Sequence, residues 1–77
     1  MTELNTRILA GLAESLEAEA SAVVPETVLA DLAPWDSIAV LGALTMIEDV
    51  TGRVVAGEAL SQCRTAGDVL ALVERTA

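Results

Sequence analysis

The chain has 77 residues, enough for one hydrophobic core, because two cores would each be too small to offset the entropy of ordering their segments. It is 53% apolar but holds Trp35 as its single aromatic residue, so the core must come from Leu, Val and Ile, an inventory that suits helices. Its 12 acidic residues face four arginines, with neither lysine nor histidine, and the net charge of −8 disfavours nucleic acid and anionic lipid as partners and removes the usual imidazole base and metal ligand.

From Thr2 to about Glu19, Leu4, Ile8, Leu9, Leu12 and Leu16 recur on one side with Thr6, Arg7, Glu14 and Glu17 opposite, the pattern of an amphipathic helix. Thr2 is an N-cap type, and Glu3 places negative charge in the first turn. Gly11 sits mid-helix at a cost of about 1 kcal/mol relative to alanine, which either a close neighbour or simple tolerance explains. Between Ser21 and Asp36 the helical period is lost, and Pro25 and Pro34 remove two backbone donors. A loop of this length needs anchors, so Val24, Val28, Leu29, Leu32 and Trp35 are expected to turn inward, with a turn of helix around Pro25 to Leu29.

A second helix is expected from Asp36 or Ser37 to about Thr51, closed by Gly52 in the left-handed conformation. Val54 and Val55 read as a brief extended segment, and Gly57 to Gln62 as a short third helix. Thr65 and Asp68 have the spacing of a capping box, with Asp in place of the usual Glu or Gln, and open a last helix that runs to about Arg75. The predicted fold is all-α: a small four-helix bundle, three main helices plus a short third one, with a long loop between the first two. It forms a single domain over residues 1–77. The longest uncharged run, Ser37 to Ile47, has 11 residues where a membrane-spanning helix needs about 20, and Glu3 stands where a signal peptide would be basic. The expectation is a cytoplasmic monomer that does not enter membranes.

The second helix carries the functional argument. An advance of about 100° per residue from Ser37 separates its sides. Val40, Ala43, Leu44, Ile47 and Val50 gather on the arc assigned to the core. Ser37, Ile38, Leu41, Gly42, Thr45, Glu48 and Asp49 share another, so a serine lies beside two large apolar side chains on a face that ends in two carboxylates. That combination reads as a docking surface. Ser37 also stands at the helix start, where unpaired backbone amides carry about half a positive charge and would hold a phosphate without any basic side chain. The plain alternative is that Ser37 only caps the helix.

Asp36-Ser37-Ile38, preceded by Trp35 and followed by Ile47-Glu48-Asp49 and Thr51-Gly52-Arg53-Val54-Val55, resembles the carrier proteins that bear 4′-phosphopantetheine, acyl and peptidyl carriers alike. The resemblance runs over essentially the whole chain. It rests on the three-residue signature together with length, acidity, helix order and the offset from signature to glycine turn. It implies that Ser37 receives phosphopantetheine from coenzyme A through a separate, Mg-dependent phosphopantetheinyl transferase. The thiol of the arm would then carry an acyl or aminoacyl group as a thioester to loading and processing enzymes. It further implies that Asp36 engages the transferase and its metal, and that Ile38 and Leu41 fit apolar hollows on partners. Thr45 shares that docking face, and Glu48 and Asp49 would meet the partners' arginines or lysines. No catalytic residue is implied, and the chain is not an enzyme.

Some positions depart from the fatty-acid type of carrier. Ala39 and Gly42 stand where acidic residues are frequent, Thr51 where an aromatic one is, and Trp35 in place of a small residue. The departures point to a stand-alone carrier of a specialised pathway, of polyketide or nonribosomal peptide type. Cys63 lacks a His or Lys to lower its pKa and reads as packing filler, and Trp35 as a packing anchor. Asp36, Glu48 and Asp49 are too dispersed for a metal site. A cleft among Ala43, Ile47, Val55 and Leu60 would admit an acyl chain, although core packing is the ordinary role of such residues. Two rivals to the acyl carrier stay open: an aminoacyl or peptidyl carrier, and an unmodified acidic adapter that docks through Ile38 and Leu41. A serine hydrolase lacks a base.

Overall fold

A computed structural model describes residues 2–76. The elements are α1 (Glu3–Ser15), a 3-10 turn (Ala20–Ala22), α2 (Leu29–Leu32), α3 (Ser37–Thr51), α4 (Gly57–Ser61) and α5 (Ala66–Arg75), and no strand forms among the described residues. The expected small helical bundle of three main helices and a short one is present, with one more helical turn, α2, set into the long connection. α1 lies along α3, and α4 and α5 close the other sides. Ile8, Leu12, Leu29, Ile47, Leu60, Val69 and Val73 are fully buried between them. Each contributes about 1.5–3 kcal/mol through removal from water, and all seven are aliphatic.

α1 begins as expected, with the Thr2 hydroxyl accepting from the Asn5 amide at 3.1 Å. It stops at Ser15 instead of about Glu19. Glu17 takes the left-handed conformation at φ 57°, the Ala18 amide donates to the Ala13 carbonyl at 2.7 Å, and the Glu17 amide donates to the Glu14 carbonyl at 3.2 Å. These are the two reversed bonds that close a helix, here without the glycine that usually accompanies them. Leu16 is buried at the cap position, so the apolar period outlasts the helix. Gly11 has a packing reason: a Cβ there would lie 2.6 Å from Cγ and Sδ of Met46. α3 therefore approaches α1 through a notch that only glycine leaves open.

The connection before α3 differs from the expectation at two anchors. Val24 and Val28 are exposed, while Val23 and Leu29 are buried, and Leu32 and Trp35 pack against the core edge as expected. The backbone explains the outward turn of Val28. The Leu29 amide donates to the Arg64 carbonyl at 2.8 Å, and the Ala66 amide to the Thr27 carbonyl at 2.9 Å. A short antiparallel bridge thus ties the loop to the link between α4 and α5. Extended chain alternates its side chains, so Leu29 turns in where Val28 turns out. The helical turn follows this bridge, at Leu29–Leu32 and not at Pro25 to Leu29.

The C-terminal half follows its pattern closely. Val54 is exposed and Val55 buried, as extended chain requires, and α4 spans Gly57–Ser61. The capping box forms with aspartate: the Thr65 hydroxyl accepts from the Asp68 amide, and Asp68 Oδ2 accepts from the amides of Arg64 and Thr65 at 3.0 and 3.1 Å. Arg53 Nη1 donates to the Val73 carbonyl at 3.0 Å, placing a cation on the last turn of α5, where the helix is electronegative.

Two predictions follow from this packing. Ile47→Ala should cost about 2–5 kcal/mol in urea denaturation, whereas Leu41→Glu, on the exposed arc, should leave stability nearly unchanged. Equal losses would contradict the placement of α3. The amides of Arg64 and Thr65 hold the Asp68 carboxyl below the usual carboxylate range. Its charged form therefore stabilises the fold above that range, and the contribution disappears as pH falls through the folded-state pKa. Asp68→Asn should lower the melting temperature at neutral pH, and the gap from wild type should narrow on acidification. A constant gap would exclude this role.

Candidate functional site at the tip of helix α3

Asp36 ends the loop in extended conformation, and its side chain starts the helix. Oδ1 accepts from the Ala39 amide at 3.0 Å, and the Asp36 carbonyl accepts from the Val40 amide at 2.9 Å. The third and fourth residues of α3 are thereby satisfied. The amides of Ser37 and Ile38 have no intrahelical acceptor and lie at the positive end of a 15-residue helix. Ser37 is the first helical residue and is exposed. The capping role falls to Asp36, which leaves the Ser37 hydroxyl unused by the helix start.

The two arcs of α3 separate as expected. Val40, Ala43 and Ile47 are buried, and Leu44 and Val50 are half-buried against the core. Asp36, Ser37, Ile38, Leu41, Thr45, Glu48 and Asp49 are all exposed. Ile38 and Leu41 are 79% and 63% exposed, so two large apolar side chains stand in water next to the serine. Thr45 turns its hydroxyl back onto the Leu41 carbonyl at 3.1 Å, which leaves its methyl group on the face. The helix closes as predicted, with Gly52 at φ 72° and its amide donating to the Glu48 carbonyl at 2.8 Å. Thr51 reinforces this end: its hydroxyl donates to Ile47 and accepts from the Arg53 amide.

Beside Ser37 runs an open groove of about 520 Å³ between α3 and α4. Trp35, Val40, Leu41 and Leu44 give it an apolar lining, and Glu58 and Ser61 of α4 line it as well. Neither α4 residue stood out in the sequence, because only tertiary packing sets α4 beside α3. The cleft considered among Ala43, Ile47, Val55 and Leu60 does not exist: these four side chains are 0–4% exposed and fill the interior. The space beside Ser37 is the surface groove, not a hole in the core.

Other candidate groups do not join the site. Burial pushes the Cys63 thiol up, with Asp68 adding to the effect and Arg75 opposing it, so the sulfur is a poor nucleophile. It sits against the Ala59 carbonyl as packing. Trp35 packs at the core edge, with its indole N–H lacking a protein acceptor. Among the described residues no group of three or more His, Cys, Asp or Glu gathers to hold a metal. No helix among them is long and apolar enough to cross a membrane.

No protein-family model matches the chain, and no solved structure matches it. Among curated proteins, the meromycolate extension acyl carrier protein of Mycolicibacterium smegmatis is 34% identical, across 97% of this chain and 80% of the relative. That likeness spans nearly the whole chain: the chain belongs to the acyl carrier protein family and is a carrier, not an enzyme.

Proposed function

We propose that Ser37 bears a 4′-phosphopantetheine arm and that the chain, a single domain over residues 1–77, serves as a stand-alone carrier of acyl groups in a specialised pathway. The observation that carries this reading is the exposed hydroxyl of Ser37 on a helix tip whose first two amides are free. The residues present suit the group. A phosphodiester on Ser37 Oγ would lie within reach of the Ser37 and Ile38 N–H groups, and the helix dipole offsets its charge where no lysine exists to do so. The groove along Trp35, Val40, Leu41 and Leu44 offers an apolar bed beside the attachment point. When bound, the arm supplies a thiol that holds cargo as a thioester.

In the loading step Ser37 Oγ forms a bond to the pantetheine-side phosphorus of coenzyme A. The P–O bond to 3′,5′-adenosine diphosphate breaks, that nucleotide departs, and the hydroxyl proton passes to a base of the phosphopantetheinyl transferase or to solvent. The chain has no histidine to take it, which suits a substrate of that enzyme. Asp36 contributes by fixing the helix start and by standing exposed beside Ser37, where the transferase and its Mg²⁺ would meet it. Ile38, Leu41 and Thr45 supply apolar contact to acyl-handling partners, and Glu48 and Asp49 supply charge. The relative's name favours acyl over aminoacyl or peptidyl cargo and a lipid-extending pathway over a polyketide or peptide one. A cytoplasmic monomer fits a role in which one surface visits several enzymes in turn.

Intact mass spectrometry tests the attachment. Incubation with coenzyme A, Mg²⁺ and a broad-specificity transferase should add one phosphopantetheine to wild type and nothing to Ser37→Ala. An unmodified wild type would favour the adapter reading. Docking through Glu48 and Asp49 predicts that loading slows as salt rises, and that Glu48→Lys with Asp49→Lys slows it further while the circular dichroism stays unchanged. Loading rates indifferent to salt and to charge reversal would remove both residues from the docking surface.

A further inference from the structure

Trp35 carries a donor that the fold leaves unpaired. Its indole Nε1 is covered by protein atoms and has no acceptor among the described residues. A donor in that state has given up water without a replacement, which costs stability. Trp35 is half-buried at the core edge, in the loop just before α3. An apolar ring would cover the same edge without an orphaned N–H, so packing alone does not account for an indole at this position.

Trp35 and Ser37 both line the groove between α3 and α4, and the other polar side chains of that groove are acceptors. Asp36 and Glu58 are carboxylates, which accept only, and no arginine lines the groove. The Ser61 hydroxyl donates to the Glu58 carbonyl at 2.6 Å, so its proton is engaged and its oxygen is left to accept. The Ser37 hydroxyl is the group that a phosphodiester would replace. Among the side chains of this groove, the indole N–H is therefore the donor that a neutral carbonyl would find.

We propose that Trp35 positions the prosthetic arm: its indole N–H donates to the carbonyl of the arm's amide nearer the phosphate, and its ring covers the branched hydrocarbon between the two. The inference rests on the reading that Ser37 bears 4′-phosphopantetheine, and it adds to that reading the side chain that orients the arm. Trp35 and Ser37 stand two positions apart, so their Cα atoms lie within about 7 Å of each other. Only the part of the arm next to the phosphate passes the ring at that distance, which selects the nearer amide over the farther one. Glu58 and Ser61 accept the N–H of the same amide from the α4 side. The indole reaches the carbonyl by a turn of its side chain, and pairing removes the cost of the orphaned donor. The unmodified chain has no such gain, so the loaded state alone favours the turned ring.

Nuclear magnetic resonance of the isotope-labelled full chain, before and after loading from coenzyme A, tests it, with intact mass reporting the loading separately. The chain has one tryptophan, so one indole N–H signal reports the bond, and it should move downfield on loading. The nearer amide and the branched methyl groups of the arm should show Overhauser contacts to the indole ring. Trp35→Phe keeps an aromatic ring and removes the donor. In its loaded form the contacts between the arm and Glu58 should weaken roughly fivefold, the weight of one neutral hydrogen bond. Should that variant misfold, the comparison of unloaded and loaded wild type decides the matter without it. An indole signal unmoved in a fully loaded chain, one already at a hydrogen-bonded position before loading, or arm contacts undiminished in Trp35→Phe would each overturn the proposal and leave the attachment standing. A chain whose mass does not change would overturn the reading of Ser37, and this inference with it.

Discussion

The hydrogen bond from the Ala39 amide to Asp36 Oδ1 decides where α3 starts, and the surface of the protein follows from that start. A cap of this kind is worth about 1 kcal/mol, a noticeable share of the stability of so small a fold. Its positional effect is larger than its energy. Because Asp36 takes the third amide with its side chain and the fourth with its carbonyl, two donors stay free beside an exposed serine. The same start sets the rotation of α3, so that Val40, Ala43 and Ile47 enter the core while Ile38 and Leu41 remain in water. α3 buries a narrow stripe and presents a broad one.

A helix that buries so little needs firm neighbours. α1 supplies most of them, through the Gly11 notch that receives Met46. α5 is the opposite kind of element: five of its ten residues are buried, and it carries both the capping box and the Arg53 contact at its last turn. The backbone bridge from Thr27 and Leu29 to Arg64 and Ala66 ties the long connection to the start of α5. These contacts thus lie behind α3, and its outward face stays in water.

Much of this was legible in the residues because the determinants are local. Asp36 and Gly52 bracket α3, and Thr65 with Asp68 opens α5, since caps and left-handed glycines act within one turn of where they stand. The sorting of α3 into core and exposed arcs needed only the helical period. What was not legible depends on chain segments far apart in sequence or on a residue in an unusual conformation. Glu17 adopts a left-handed backbone that glutamate does not advertise, so α1 looked longer than it is. Val28 is as apolar as Leu29, and only the bridge to the α4–α5 link decides which of the two turns inward. The groove beside Ser37 requires α4 to lie against α3, and the reason for Gly11 is a methionine 35 positions away.

Trp35 stands at one wall of the groove next to Ser37, and the chain contains no tyrosine or phenylalanine. The near-ultraviolet absorption and fluorescence of the protein therefore come from one ring at one place. Whatever settles against that wall changes the colour and brightness of a single emitter, with no background from elsewhere in the chain. The protein is its own optical gauge for the space a tethered group would occupy.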